Sequence, residues 1–255
     1  MSPNTEPAPN RFATTVAPTD PLARVDSFWL HGAGLAGDTW HPITKGYTKA
    51  LKPDLPGHGA NPLSQPYRVE AYAERLSDCV PPGSVLIGHS LGGMVALELA
   101  ARLKDRIEAL ILIEAVPTVR DRLVGRLSAT VAASLYCSIP TSWLANLSGL
   151  GESPDTKAEL RRQLARMDRR RISAALEAAS LYDGRPRLAE IAVPTLIIVG
   201  KRNSATHHVA DLMAQRIRGA EYFKLPGGHM LHTDNPVQLR RSISGFLRRT
   251  GTAES

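Results

Sequence analysis

"SVLIGHSLGG", Ser84 to Gly93, decides the fold. An apolar run ends at Gly88, and Ser90 stands between glycines in the pattern GxSxG. The apolar positions of "MVALELAARLKD" (Met94 to Asp105) then follow a helical period. A strand that turns this sharply into a helix needs small residues around the turn, because the serine at its tip adopts a cramped backbone. The hydroxyl then projects over the carboxyl edge of a sheet. The helix behind it aims free backbone N–H groups at any anion formed there. Ser90 is therefore the candidate nucleophile and the N–H of Leu91 a candidate oxyanion donor.

Working outward, the same theme of apolar run and turn recurs. "VDSFWLHGAG" (Val25 to Gly34) reads as a strand entering a glycine loop, and "YTKALKPDLPGHG" (Tyr47 to Gly59) as a short strand ending at a Pro-Gly turn. "IEALILIEAVP" (Ile107 to Pro117) is apolar almost throughout, as a strand buried on both faces must be. "VPTLIIVG" (Val193 to Gly200) is a further strand, followed by a helix near Val209 to Ile217, a short strand "AEYFKLP" (Ala220 to Pro226) and a last helix from Pro236 to Arg249. Strands alternating with helices predict an α/β fold with a mostly parallel, doubly wound sheet. Between Thr118 and about Glu190 the chain turns to alanine, leucine, arginine and serine with helical spacing. That stretch reads as a helical insertion. The expected organisation is a tail at 1–21, a core at 22–116 and 191–250, and a helical cap at 117–190.

At 255 residues and 43% hydrophobic content the chain can bury a substantial core. Cys79 and Cys137 form neither a disulfide framework nor a zinc-spaced cluster. No metal and no organic cofactor are expected. The N-terminal "MSPNTEPAPNRFATTVAPTD" lacks the apolar run of a secretory signal, and no stretch reaches the about 20 apolar residues of a membrane span. Cytoplasmic location and no membrane partner are the expectation. An excess of +7 charge gathers in "RRQLARMDRRR" (Arg161 to Arg171) and at Arg240, Arg241, Arg248 and Arg249. These arginines lie among helical alanines and leucines without interleaved aromatics, so they read as solvated helix faces and no nucleic-acid partner is expected. The expected partner is a small-molecule substrate, and the expected assembly is a monomer or homodimer.

With "HGAG" (His31 to Gly34), "DLPGHG" (Asp54 to Gly59), "GHSLGG", "VPTLIIVG" and "LPGGHMLHTDNP" (Leu225 to Pro236) in this order, the chain resembles the α/β-hydrolase superfamily from about Val25 to Arg249. The resemblance implies a serine hydrolase with an oxyanion hole from the N–H groups of Ala33 and Leu91. It implies a general base in the loop after the last core strand, a histidine that follows glycine. That selects His229 over His232. Histidine suits the role because its pKa lies near working pH.

The same resemblance places an acid shortly after "PTLIIVG", as GxxD, yet the chain reads "GKRN" and puts Asn203 there. An amide carries no charge, and exchanging a triad Asp for Asn in a serine protease costs about 10⁴ in kcat. Three readings follow. The acid sits instead at Glu114, which closes an apolar run and is similar in placement to the acid of a group of haloalkane dehalogenases; or the pocket binds a ligand without efficient hydrolysis; or Asn203 is itself a substitution. Asp234 is a further candidate acid, although "TDNP" also reads as a helix N-cap. Dehalogenation is disfavoured, since it needs a carboxylate nucleophile where Ser90 stands. The expected reaction is hydrolysis of a carboxylic ester or lactone by Ser90, His229 and Glu114, with ligand binding or carbon–carbon bond hydrolysis as alternatives. Leu135, Tyr136, Ile139, Trp143 and Leu144 either line the substrate pocket or pack the cap onto the core.

Overall fold

The computed structural model describes residues 19–119 and 153–252. Six strands form one parallel sheet: β1 (Ser27–Leu30), β2 (Ala50–Leu51), β3 (Ser84–His89), β4 (Ile107–Ile113), β5 (Thr195–Gly200) and β6 (Glu221–Leu225). Their spatial order is β2-β1-β3-β4-β5-β6. The helices are α1 (His41–Thr44), α2 (Val69–Ser77), α3 (Leu91–Leu103), α4 (Pro154–Leu164), α5 (Arg169–Leu181), α6 (His207–Arg216), α7 (Leu231–Asp234) and α8 (Pro236–Arg249). The doubly wound architecture is the expected one.

Every residue of β1, β3 and β5 is buried. Because side chains alternate across a strand, each central strand feeds two cores. Phe28, Leu30, Leu86, Leu110, Leu112, Ile197 and Val199 pack on one face with α2, α3 and α6. Trp29, Val85, Ile87, Ile111, Ile113, Leu196 and Ile198 pack on the other with Trp40 and α8. This is why those segments read as unbroken apolar runs. The edge strand β6 instead exposes Phe223 and carries Lys224, which blunts an open edge.

Residues 19 and 20, at the end of the expected tail, belong to the described structure. The Asp20 carboxylate accepts from Leu22 N at 3.2 Å, Tyr47 Oη at 2.6 Å and Ser244 Oγ at 2.6 Å, and ties the start of the chain to α8. Within the expected insertion, the described part holds α4 and α5. The arginine run at 161–171 spans the end of α4 and the start of α5. Arg162, Arg166 and Arg171 form ion pairs there with Glu159, Asp38 and Asp168. Cys137 and the apolar residues Leu135, Tyr136, Ile139, Trp143 and Leu144 lie outside the described residues. Among those that are described, no helix is long and apolar enough to cross a membrane.

One buried carboxylate anchors α3, the helix behind Ser90. Glu98 is 1% exposed and accepts from Arg102 Nε at 3.1 Å and Arg187 Nε at 3.1 Å. A charge at that depth is stable only when paired. The pairing fixes α3 to the turn at Arg185–Glu190 that leads into β5.

Candidate active site

The parallel register lines up the carboxyl ends of five neighbouring strands. Leu30 of β1 pairs with Gly88 of β3, His89 with Ile113 of β4, Ile113 with Ile198 of β5, and Gly200 with Leu225 of β6. Each candidate residue lies just past one of these ends, the edge at which open α/β sheets place their ligands.

Ser90 follows β3 with φ 53° and ψ −118°, a sparsely populated conformation for a residue with a side chain. Its N–H bonds to Ile113 O at 3.0 Å, so the ladder to β4 continues through the strained residue. The glycines around it are there for space. A Cβ on Gly88 would stand 2.4 Å from Gly92 O, and one on Gly92 would stand 2.3 Å from Leu30 O. Leu91 opens α3, and the N–H groups of a first helical turn have no partner within the helix.

The loop after β1 is set by His31, which is fully buried. Its Nε2 accepts from Leu55 N at 3.0 Å, which leaves the proton on Nδ1 to donate to Gly32 O at 2.8 Å. In a trans peptide C=O and N–H point opposite ways, so holding Gly32 O turns the Ala33 N–H away from His31. Ala33, Ser90 and His229 line one cavity of about 210 Å³. Its opposite wall is apolar: Leu160 and Leu164 from α4, Ile172 and Leu176 from α5. Leu164 reaches so close that a Cβ on Gly34 would meet its Cδ2 at 2.6 Å.

Glu114 follows β4 with φ 50°, and its N–H bonds to Ile198 O at 2.8 Å, the same arrangement one strand on from Ser90. The carboxylate is completely buried. One oxygen accepts from Gly200 N. The other accepts from Asn203 Nδ2 at 2.6 Å and Thr206 Oγ1 at 3.0 Å, and lies 3.5 Å from His229 Nδ1. Such a set of donors matches the acceptor-only chemistry of an ionised carboxylate. Asn203 Nδ2 is also 3.3 Å from His229 Nδ1. Glu114, Asn203 and His229 are thus brought together, with the amide beside the carboxylate rather than in its place.

The side chain of His229 is 36% exposed, and its backbone is held by a neighbour of Ser90. His89 Nε2–H donates to His229 O at 2.9 Å. Four further histidines are buried: His31, His58, His89 and His232. The His89 ring lies 4.8 Å from that of His229 and 4.9 Å from that of His232, and His31 and His58 are 4.9 Å apart. Burial holds all four neutral. It lowers His31 and His232 to about 3, His58 to about 4 and His89 well below its ordinary value, with neighbouring histidines adding to the effect at His31, His89 and His232.

His232 lies in α7, a separate turn before α8, and its Nε2 pairs with Thr39 Oγ1 at 2.9 Å. Asp234 does not cap α8. The residue before that helix is Asn235, which makes no side-chain cap bond, and the Asp234 carboxylate is drawn to other partners in α7's surroundings. Thr206 and the Gly200 N–H, both on Glu114, were missed from the sequence. Neither a lone threonine near the start of a helix nor a backbone donor leaves a recognisable pattern.

Residues 28–241 match the model of a family described as the alpha/beta hydrolase family. A pimeloyl-[acyl-carrier protein] methyl ester esterase from Aromatoleum aromaticum is 30% identical over 250 residues, covering 89% of this chain and 100% of that protein. One from Nitrosospira multiformis is 26% identical over 242 residues, covering 86% and 92%. Among solved structures, MenH from S. aureus aligns with a TM-score of 0.79 at 23% identity, over 90% of this chain and 95% of that one. An enol-lactonase from Burkholderia xenovorans LB400 aligns at 0.76 and 23%, over 87% and 90%. These two likenesses speak for the fold. With the family model spanning the sheet and every strand end described above, the chain belongs to the alpha/beta hydrolase family.

Proposed function

We propose that the protein is a serine esterase acting through Ser90, His229 and Glu114. The observation that carries this reading is that Ser90, on its strained turn, shares a cavity with His229, while the Nδ1 side of His229 faces the buried Glu114 carboxylate at 3.5 Å. Ser90 Oγ attacks the ester carbonyl as His229 takes its proton on Nε2. The N–H groups of Ala33 and Leu91 receive the developing oxyanion, each such donor contributing about 3 kcal/mol to the transition state. The imidazolium returns the proton to the departing alcohol, and water then releases the acyl group by the same steps. Asn203 does not carry the charge. Its amide donates to Glu114 Oε2 at 2.6 Å, which leaves the carboxylate as the charged acceptor for His229 Nδ1–H.

The substrate class follows from two supports. The cavity wall contributed by α4 and α5 is apolar, which suits an uncharged acyl or alkyl group. The relatives from A. aromaticum and N. multiformis are named for cleavage of a methyl ester of an acyl chain. We therefore assign to this chain the hydrolysis of a methyl or other short alkyl ester, with helices α4 and α5 as a cap over the site.

The test is turnover of p-nitrophenyl acetate and butyrate together with covalent labelling of Ser90 by a fluorophosphonate. Labelling with turnover is the expected result; folded protein with an unreactive Ser90 would favour a ligand-binding relative and sink the esterase reading. Within it, Glu114→Gln lowers kcat by about 10³ to 10⁴, the scale of removing a triad carboxylate. Asn203→Ala costs about tenfold or less, the scale of one hydrogen bond. Equal or reversed losses, measured on variants with unchanged circular dichroism, would move the acid away from Glu114.

A further inference from the structure

Asp234 joins three parts of the molecule that its sequence context does not connect. Its side chain is 1% exposed, and both oxygens are engaged by different parts of the molecule. Oδ2 accepts from Gly228 N, the residue before His229, at 2.8 Å, and from Arg202 Nη2, the residue before Asn203. Oδ1 accepts from Thr156 Oγ1 at 2.6 Å and Ser153 N at 3.4 Å. Ser153 is the N-cap of α4, where its Oγ accepts from Thr156 N at 3.2 Å. A carboxylate at this helix N-terminus is favoured by the aligned peptide dipoles and by the unpaired N–H groups of the first turn.

One carboxylate therefore joins the loop that holds His229 to the loop that holds Asn203 and to the first turn of α4. The two loops already touch through their backbones, since Arg202 N bonds to Gly227 O at 2.9 Å and a Cβ on Gly200 would stand 2.3 Å from Gly228 O. Neither contact extends to α4. At its far end the same helix carries Leu160 and Leu164, which line the cavity opposite Ser90. We infer that Asp234 is a positioning residue that ties the seating of α4 over the cavity to the placement of His229. This rests on the esterase reading above.

Asp234→Asn separates the two arms. An amide has one accepting atom, so its NH₂ faces either Gly228 N and Arg202, which only donate, or α4, where Thr156 Oγ1 can turn to accept but Ser153 N cannot; in both cases the negative charge facing Arg202 is gone. Thr156→Val removes the α4 arm alone, in a side chain of nearly the same shape. Both variants are assayed on p-nitrophenyl butyrate, with kcat expressed per Ser90 labelled to completion by fluorophosphonate, so that loss of folded protein does not enter. Displacing a general base by about 1 Å costs on the order of 100-fold, so Asp234→Asn is expected to lower kcat by about 10- to 100-fold and Thr156→Val by about 3- to 10-fold, each with KM within about threefold of the parent value. A purely structural clasp would lower the melting temperature and leave kcat per labelled site within about twofold, and that result overturns the inference. If Asp234→Asn does not fold, Thr156→Val decides alone. Failure of the parent protein to label at Ser90 would count against the esterase reading, whereas labelling and turnover in the parent with unchanged kcat in the variants counts against the role of Asp234.

Discussion

On the proposed mechanism, Ser90→Ala is expected to lower kcat by about 10⁶-fold, the loss that follows removal of a triad serine, with binding and the oxyanion donors leaving a small residual rate. The fold survives the change. Alanine takes less space than serine, and the elbow is held by Ser90 N to Ile113 O at 3.0 Å and by glycine packing that the substitution does not touch. Relieving the strain should even add stability. At φ 53° the residue holds a conformation costing on the order of 1–3 kcal/mol, so Ser90→Gly, equally inactive, is expected to be about 1 kcal/mol more stable than the parent. Urea unfolding of the three proteins checks this, and turnover by Ser90→Ala within a factor of about 100 of the parent would remove Ser90 from the chemistry.

The second large effect is on stability and comes from the buried histidines. His31, His58, His89 and His232 stay neutral in the fold because burial lowers His31 and His232 from 6.5 to about 3, His58 to about 4 and His89 well below its ordinary value, yet each takes up a proton freely once the chain unfolds. With the unfolded chain binding more protons, stability is fully present above pH 6.5 and falls as pH drops through it. It stops falling only near the folded values of about 3 to 4. From pH 7.5 to 5.5 each histidine removes about 1.4 kcal/mol, so the four together remove 5 to 6, comparable with the whole stability of a typical domain. Urea unfolding at the two pH values measures it, and His232→Gln should cut the slope by about one proton. A stability constant to within about 1 kcal/mol across the interval would mean that these rings are not held neutral by the fold.

How much of the site was legible depended on whether each residue's role left a local trace. Ser90 did, because a strand that turns into a helix at a strained serine needs Gly88 and Gly92 to make room, and glycines at fixed spacing are visible in a sequence. His229 did more weakly, through glycines after a strand. Glu114 left only one sign, a charge closing an apolar run, which does not say what it faces. For Asp234 the sequence offers a further candidate acid or a helix cap, whereas its place at the end of the turn α7 carries it inward to Gly228, Arg202 and Thr156.

By itself the sequence determined the sheet, its buried strands and the turns at their carboxyl ends, because apolar period and glycine placement are local consequences of burial and backbone strain. It also raised the question of the missing acid at Asn203. Only the tertiary structure decided which groups meet. Parallel pairing puts Glu114 one strand from Ser90, the loop after β5 brings Asn203 and Thr206 onto the same carboxylate, and α7 turns Asp234 toward α4. Those contacts join residues far apart in the chain, and their energies depend on distance and burial, which no spacing along a sequence encodes.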